Sequence, residues 1–544
     1  MKLPVYGPRL RRVARQQFGW PGLRPGQFKP MRAVLRRRDA LVVLPTGAGK
    51  SAIYQIPAVL LRGPTVVVSP LLALQQDQIA ALNERNDPLI RAVRVSSAET
   101  PNQQREAIEE IRSGRAEFLF ITPEQLSDPD RLAEIKALKP GLVAIDEAHC
   151  ISAWGHDFRP DYLALGDMIK GLGRPPVLAL TATASPPVRE DIIERLRLQR
   201  PEIHVSGLDR PNLFLEVTYC PDEDYRWRRL TALLDQGRMP GIIYVPTRRA
   251  SEELAERLVE AGYNAAFYHG GMAGGPREQR HEDFSDDKID IMVATSAFGM
   301  GIDKPNIRWV AHVALPDSPD SYFQEIGRAG RDGAPANALL LWRSEDEAIQ
   351  RFFTGGAPDP VELRELAAAL RAGPQTRKAL AEKTGLGPRK LGAYLGLLEQ
   401  VGAAVTGHGN KTTVPLFAPL PAAAADLAVR EHERRQVVTR SRTDMMRGFA
   451  ETRNCRSQIL LSYFGEQRKN PCGHCDNDVN GISEPPPSSA DQPFEVHSKV
   501  RHGEWGSGTV MGYEEDRVTV LFDEVGYKTL SVPVVLENKL LTAA

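Results

Sequence analysis

The chain has 544 residues, no net formal charge, 42% hydrophobic and 25% charged residues, a composition ordinary for soluble globular proteins and long enough for three or four domains. No stretch approaches the roughly 18 uninterrupted apolar residues of a membrane-spanning helix, and the balanced charge excludes a globally basic nucleic-acid binder, so any basic track is local. Five cysteines are too few and too unevenly placed for a disulfide framework, and the Arg-rich N-terminus lacks the apolar region of a secretory signal, so cytoplasmic residence is expected.

From about 20 to 205, short β-rich apolar runs alternate with helical stretches, the pattern of a parallel α/β sheet with its site at strand ends. The run Leu41–Leu44 leads into Pro45-Thr46-Gly47-Ala48-Gly49-Lys50-Ser51. A Gly-rich turn between strand and helix points backbone N–H groups into a nest that suits nucleotide phosphates. Lys50 would reach the β/γ-phosphates and Ser51 would hold Mg²⁺. The general pattern begins with Gly where this chain has Leu44, so the reading rests on the whole set. Further strands are expected at Thr65–Val68, Phe118–Ile121 and Val177–Leu180. A second site strand, Leu142–Ile145, ends in Asp146-Glu147-Ala148-His149. Asp146 can hold the same Mg²⁺ through water, and Glu147 can orient the attacking water. Together these parts describe an NTPase.

A second α/β series, with strands expected at Gly241–Val245, Ile289–Ala294 and Trp309–Val313, carries no P-loop. Two such domains with one P-loop imply a nucleotide bound between them. Past a Gly/Pro/Ala-rich stretch, helices are expected at Thr376–Thr384 and Arg389–Val401 around a Gly-Leu-Gly-Pro turn, with a β-like tail near 403–416. Two polar helices follow over 422–470. Cys472-Gly473-His474-Cys475 with Cys455 suggests a metal before a disulfide. Residues 484–489, Glu-Pro-Pro-Pro-Ser-Ser, read as linker, and short strands with Gly turns over 494–540 read as a small β-barrel.

The sequence resembles the RecQ DNA helicases of superfamily 2. The matching runs are Arg24-Pro25-Gly26-Gln27, the P-loop continuing to Tyr54-Gln55-Ile56-Pro57, Ser69-Pro70-Leu71, Thr122-Pro123-Glu124 and Asp146–Pro160. They continue with Asp209-Arg210-Pro211-Asn212, Ala294-Thr295, Phe298–Ile302 and Gln324–Gly333. The resemblance is nearly continuous over 16–345 and looser over 430–478. It implies two tandem RecA-like parallel-sheet domains, 1–207 and 208–355, then a winged-helix-like segment (360–418), a helical zinc-binding domain (422–480), a linker (481–493) and a Tudor/SH3-like β-barrel (494–544). It also implies ATP, Mg²⁺ and Zn²⁺ as cofactors, single-stranded and duplex DNA as partners, 3′→5′ polarity, a role in repair and recombination, and nucleoid association.

Carried over by position, Trp20, Arg24 and Gln27 would read the adenine beside the loop Thr46–Ser51. Asp146, Glu147 and His149 would form the hydrolytic strand end. Arg328 and Arg331 would approach the γ-phosphate, with Arg331 favoured as the finger, and Gln324 would couple the cleft to nucleic acid. Trp154, Phe158 and Arg159 would sense DNA, since aromatic faces stack on bases without sequence preference. Cys455, Cys472 and Cys475 align with three zinc ligands. The family's fourth cysteine is Asp478 here, which can close a tetrahedron, with His474 as the rival. The winged-helix-like segment precedes the zinc region, whereas RecQ proteins usually carry theirs after it; Arg389 and Lys390 could touch phosphate there. The terminal domain looks like the barrel that ends UvrD/PcrA-type helicases, which implies a protein partner such as RNA polymerase or a repair factor. Two further readings stay open: a DNA-stimulated ATPase that displaces or recruits proteins without productive unwinding, and an RNA helicase.

Overall fold

The structure is a computed structural model. It describes residues 6–544 except 71, 86, 88–89, 153–158, 300–303, 347–355, 408–410, 416, 467, 484–491 and 515. Short runs such as Ala-Leu-Val-Val and Phe-Leu-Phe-Ile are apolar on both faces, which suits strands covered by helices on each side. The first sheet has seven strands, of which the more polar β3 and β7 lie at its edges: β1 (Ala40–Val43), β2 (Thr65–Val68), β3 (Ala92–Val95), β4 (Phe118–Ile121), β5 (Leu142–Ile145), β6 (Val177–Thr181) and β7 (Glu202–Val205). The order is β3-β4-β2-β5-β6-β1-β7, every pair parallel. β6 therefore separates the P-loop strand β1 from the acidic strand β5. A helix absent from the sequence reading, Tyr6–Gln16, packs Leu10 and Val13 on this lobe.

The second sheet contains β8 (Leu213–Tyr219), β9 (Gly241–Tyr244), β10 (Ala265–Tyr268), β11 (Ile291–Ala294), β12 (Trp309–His312) and β13 (Ala336–Trp342). It is also parallel, in the order β10-β11-β9-β12-β13-β8. The strands expected through Val245 and Val313 stop one residue short, and the one expected from Ile289 starts at Ile291, because the flanking residues turn into loops. Gly241 is needed for packing: a Cβ there would lie 2.0 Å from the Trp309 indole.

Helices Pro360–Leu370, Arg377–Thr384 and Pro388–Gln400 join a three-stranded antiparallel sheet, β14 (Gln375–Thr376), β15 (Val405–Gly407) and β16 (Lys411–Thr413), in the order β14-β16-β15. Thr376, expected inside its helix, is instead the N-cap: its hydroxyl accepts the Ala379 N–H at 3.2 Å. The next helix begins at Pro388 and ends at Gln400, not at Arg389 and Val401. Helix Pro388–Gln400 leans on the Pro160–Tyr162 turn of the first lobe. There burial, Glu124 and Glu399 push the Asp161 carboxyl above its ordinary range.

A helix of 31 residues, Pro421–Glu451, changes partners along its length. Ala424, Ala425 and Ala428 join the core of the three-helix unit, while Met446, Phe449 and Ala450 join the lobe core. Helix Arg456–Tyr463 follows. The last unit is a five-stranded antiparallel sheet of β17 (Lys499–His502), β18 (Gly506–Glu514), β19 (Arg517–Phe522), β20 (Gly526–Ser531) and β21 (Leu541–Ala543). Its order, β20-β19-β18-β17-β21, leaves β20 and β21 as edges among the described residues, where the sequence reading expected a barrel. No helix among the described residues is long and apolar enough to cross a membrane.

Candidate functional site

The loop after β1 turns twice through the left-handed region, at Gly47 (φ 81) and Gly49 (φ 81), where a side chain would be strained. Lys50 Nζ donates to the Leu44 carbonyl at 3.1 Å. Two residues picked out as adenine readers brace this loop from outside. Arg24 Nη1 donates to the Gly47 carbonyl at 2.6 Å. Gln27 Nε2 donates to the carbonyls of Gly49 at 2.9 Å and Ala48 at 3.4 Å, while its Oε1 accepts the Arg24 N–H at 2.8 Å. Trp20 is half-buried and stacked on Phe18, with centroids 4.6 Å apart.

At the end of β5, Asp146 and Glu147 are buried. Asp146 Oδ1 accepts the Glu147 N–H at 3.0 Å, and Oδ2 accepts Gln78 Nε2 at 3.4 Å. Burial and the neighbouring Glu147 raise the Asp146 carboxyl, and the Lys50 ammonium pulls it back only in part. Glu147 adopts φ 47, ψ 47, a costly conformation for a non-glycine residue and of a kind that clusters at functional sites. Burial would raise its carboxyl, yet His149, Lys50 and Arg328 bring it below the ordinary glutamate value. His149 Nδ1 lies 3.3 Å from Glu147 Oε2 and 2.9 Å from Thr181 Oγ1 on β6. Burial opposes charge on His149, but Cys150 and Glu147 raise its pKa well above the usual value.

The second lobe completes the cleft. Gln324 lies in the last turn of the helix Pro319–Ile326 and lines a cavity of about 30 Å³ with Thr46, Thr183, Arg210 and Ser457. Arg328 is 3% exposed, and its charge reaches Glu147. Arg331 crosses to the P-loop: its Cγ and Cδ would be 3.4 Å from a Cβ at Gly47. Arg210 and Asn212 hold the loop carrying both arginines. Arg210 Nη2 donates to the carbonyls of Ala329 (2.8 Å) and Gly330 (2.9 Å), and Asn212 Nδ2 donates to those of Gly330 (2.8 Å) and Ala334 (2.9 Å).

Trp154 and Phe158 lie outside the described residues. Arg159 is described: its Nη1 donates to the Pro70 carbonyl at 3.1 Å. On the second lobe, a groove of about 560 Å³ runs between Pro246, Ser296 and Ser321 and the long helix, which contributes His432, Arg435 and Thr439. Lys390 is paired with Glu362 at 2.5 Å, inside its own unit, whereas Arg389 is exposed.

Ligand atoms of Cys455, Cys472, Cys475 and Asp478 all lie within 4.8 Å of one another. Backbone N–H groups of Cys472 and His474 donate to the sulfurs of Cys455 (3.2 Å) and Cys472 (3.3 Å). Hydrogen bonds from Cys455 and Cys472 pull the Cys475 thiol down, so the group favours a thiolate. Three sulfurs and one carboxylate at this spacing fit Zn²⁺. His474 is not part of the group; its Nδ1 lies 2.7 Å from the Cys472 carbonyl oxygen.

The sequence matches the models of the DEAD/DEAH box helicase over 24–192, the helicase conserved C-terminal domain over 226–333 and RecQ zinc-binding over 423–479. It is 34% identical over 508 residues to the probable ATP-dependent DNA helicase RecS of Bacillus subtilis, covering 91% of this chain and 97% of that protein. The chain belongs to the RecQ family of ATP-dependent DNA helicases. A second relative, the ATP-dependent DNA helicase RecQ of Haemophilus influenzae, is 36% identical over 466 residues, or 85% of this chain and 62% of that protein. This chain therefore spans less than two thirds of that relative's length. The solved structure of Mycobacterium smegmatis helicase Lhr bound to ssDNA and AMP-PNP shares the fold, with TM-score 0.50 and 20% identity over 77% of this chain and 61% of that one.

Within this RecQ-family chain, the structure gathers Thr46–Ser51, Asp146, Glu147, His149, Arg328 and Arg331 around one cleft. It adds residues to which sequence reasoning assigned no role. Thr181 contacts His149, and Tyr162 donates its hydroxyl to the Asp146 carbonyl at 3.1 Å. Arg210 and Asn212 stood in a quoted motif. Gln78 had no such signal, because its partners come from other elements.

Proposed function

We propose that this chain uses ATP hydrolysis to move 3′→5′ along single-stranded DNA and to separate duplexes. The observation that carries the reading is the approach of Arg331, from the second lobe, to Gly47 of the P-loop. An arginine delivered across a cleft stabilises transition-state charge only while the cleft is shut, so turnover and domain closure are linked. In this reading Lys50 and the backbone of Thr46–Ser51 hold the phosphates, Glu147 orients the attacking water, and His149, itself against Thr181, steadies Glu147. Ser51 and Asp146 hold Mg²⁺, which when bound neutralises charge on the phosphates. Arg24 and Gln27 keep the loop in shape and face the base with Trp20, and Gln324 links the cleft to the strand. Single-stranded DNA runs over the Pro70–Arg159 edge and the second-lobe groove, with Trp154 and Phe158 expected to stack on its bases. Cys455, Cys472, Cys475 and Asp478 hold a structural Zn²⁺.

The working units are 1–207, 208–355, 360–418, 422–480, the linker 481–493 and 494–544. The third is read as a winged helix, since three helices and a small antiparallel sheet make it up, and the last as a Tudor/SH3-like protein-docking unit. Repair and recombination at the nucleoid are the expected setting.

A second reading, a DNA-stimulated translocase that displaces proteins, draws on the contact between helix Pro388–Gln400 and the Pro160–Tyr162 turn. That contact holds the three-helix unit against the first lobe. Strand separation on 3′-tailed, 5′-tailed and blunt duplexes tests both. Separation of the 3′-tailed duplex alone is expected. DNA-stimulated hydrolysis with no separation on any of them favours the translocase, and stronger activation by RNA than by DNA overturns the choice of substrate.

A further inference from the structure

A buried carboxylate that must hold a hydrated cation depends on what orients it, since the groups behind a ligand set its direction and basicity. For Asp146, beyond the Glu147 N–H and the Tyr162 hydroxyl, those groups come from three elements. The backbone N–H of Asp146 donates to the Val68 carbonyl at 2.8 Å, tying the end of β5 to that of β2. The helix that follows β2, Leu72–Asn83, presents Gln78, whose Nε2 faces Asp146 Oδ2 at 3.4 Å. The helix that follows the P-loop, Ala52–Ala58, presents Tyr54, whose hydroxyl donates to Gln78 Oε1 at 2.9 Å.

The order of these contacts has a physical consequence. A glutamine amide carries a donor at one end and an acceptor at the other. Turned the other way, it would set its carbonyl oxygen against the Asp146 carboxylate. Tyr54 is fully buried, and a tyrosine phenol carries its proton at neutral pH. The phenol therefore donates to Oε1, leaving Nε2 toward the carboxylate.

We propose that Gln78 is a positioning residue for the metal-directed carboxylate of Asp146, with Tyr54 setting the direction of its amide. The inference rests on the reading of Asp146 as a Mg²⁺ ligand given above. Through it the P-loop helix and the β2 helix act on one carboxylate oxygen. The competing account is that Gln78 only supplies a partner for a buried phenol, which buried tyrosines usually have.

The test is equilibrium binding of fluorescent N-methylanthraniloyl-ADP by the full chain, titrated with Mg²⁺ and repeated without it, alongside thermal unfolding. Asp146→Asn is the reference. Gln78→Leu is expected to raise the Mg²⁺ needed for half-maximal binding roughly tenfold and to leave Mg²⁺-free binding unchanged. Tyr54→Phe, which removes one hydroxyl, is expected to shift the midpoint the same way by less, and it carries the test if Gln78→Leu does not fold. If Asp146→Asn moves the midpoint while both other variants stay within about twofold of the parent chain, the positioning role is wrong and the Mg²⁺ site stands. A lower melting temperature for Gln78→Leu with an unmoved midpoint overturns it likewise. If Asp146→Asn leaves the midpoint in place, the site reading fails and the inference with it.

Discussion

Arg331 lies against Gly47, with the arginine's methylene carbons where a Cβ on that glycine would stand 3.4 Å away. The two residues belong to different lobes and are joined by no local chain geometry. Their contact depends on the loop that Arg210 and Asn212 hold by its carbonyls, so the position of the second-lobe arginine is a property of the whole fold.

Removing that arginine tests the contact directly. Arg331→Ala is expected to lower DNA-stimulated kcat roughly 10³-fold, with nucleotide binding largely retained. Lys50→Ala is expected to abolish hydrolysis. Steady-state ATPase assays with nucleotide titration measure both, and full turnover in Lys50→Ala would falsify the P-loop assignment.

The acid side of the pH profile should expose Asp146, whose carboxyl burial and Glu147 push up to about 6. The ionised form is the one that holds a cation, so kcat/KM for ATP should fall as pH drops through about 6. Stability runs the other way. A carboxyl whose folded pKa lies above its unfolded value disfavours folding when ionised, and protonation relieves this. Asp146→Asn should therefore be more stable than the parent chain above pH 6, with the difference shrinking as pH falls toward the unfolded value. Chemical denaturation at several pH values checks the sign.

Zinc content should equal chain content and drop in Cys472→Ser and Asp478→Asn but not in His474→Ala, as metal analysis would report. Zinc loss should also loosen the second lobe. Strand β8 is an edge strand, and the zinc region covers it: Leu215 N–H donates to the His474 carbonyl at 3.3 Å and Val217 N–H to Asp476 Oδ2 at 2.9 Å. Hydrogen exchange at Leu215 and Val217 should speed up on chelation. Unchanged protection there would show that the metal does not support this edge.

Gly241→Ala places a methyl group 2.0 Å from the buried Trp309 ring, whose Nε1 donates to the Arg238 carbonyl at 2.7 Å. Overpacking of this kind costs about 1–3 kcal/mol. Urea unfolding of the full chain should show it, and a loss under about 0.5 kcal/mol would mean the β9–β12 pair yields easily.

What the amino-acid order determined alone is local. The runs Thr65–Val68 and Phe118–Ile121 form the strands expected of them because a strand buried on both faces has to be apolar throughout. The P-loop is legible because Gly47 and Gly49 take left-handed turns that other residues resist. The CxxC spacing marks a metal site through the short reach of two thiols. Tertiary structure decided whatever joins distant segments. It put Asp478 with the thiols and turned His474 away, paired Lys390 with Glu362, and covered β8 with the zinc region. It also aligned Tyr54, Gln78 and Asp146 in one hydrogen-bonded row. Such contacts leave no periodic trace, since each partner satisfies its own element's pattern first and meets the other only when the sheets and helices pack.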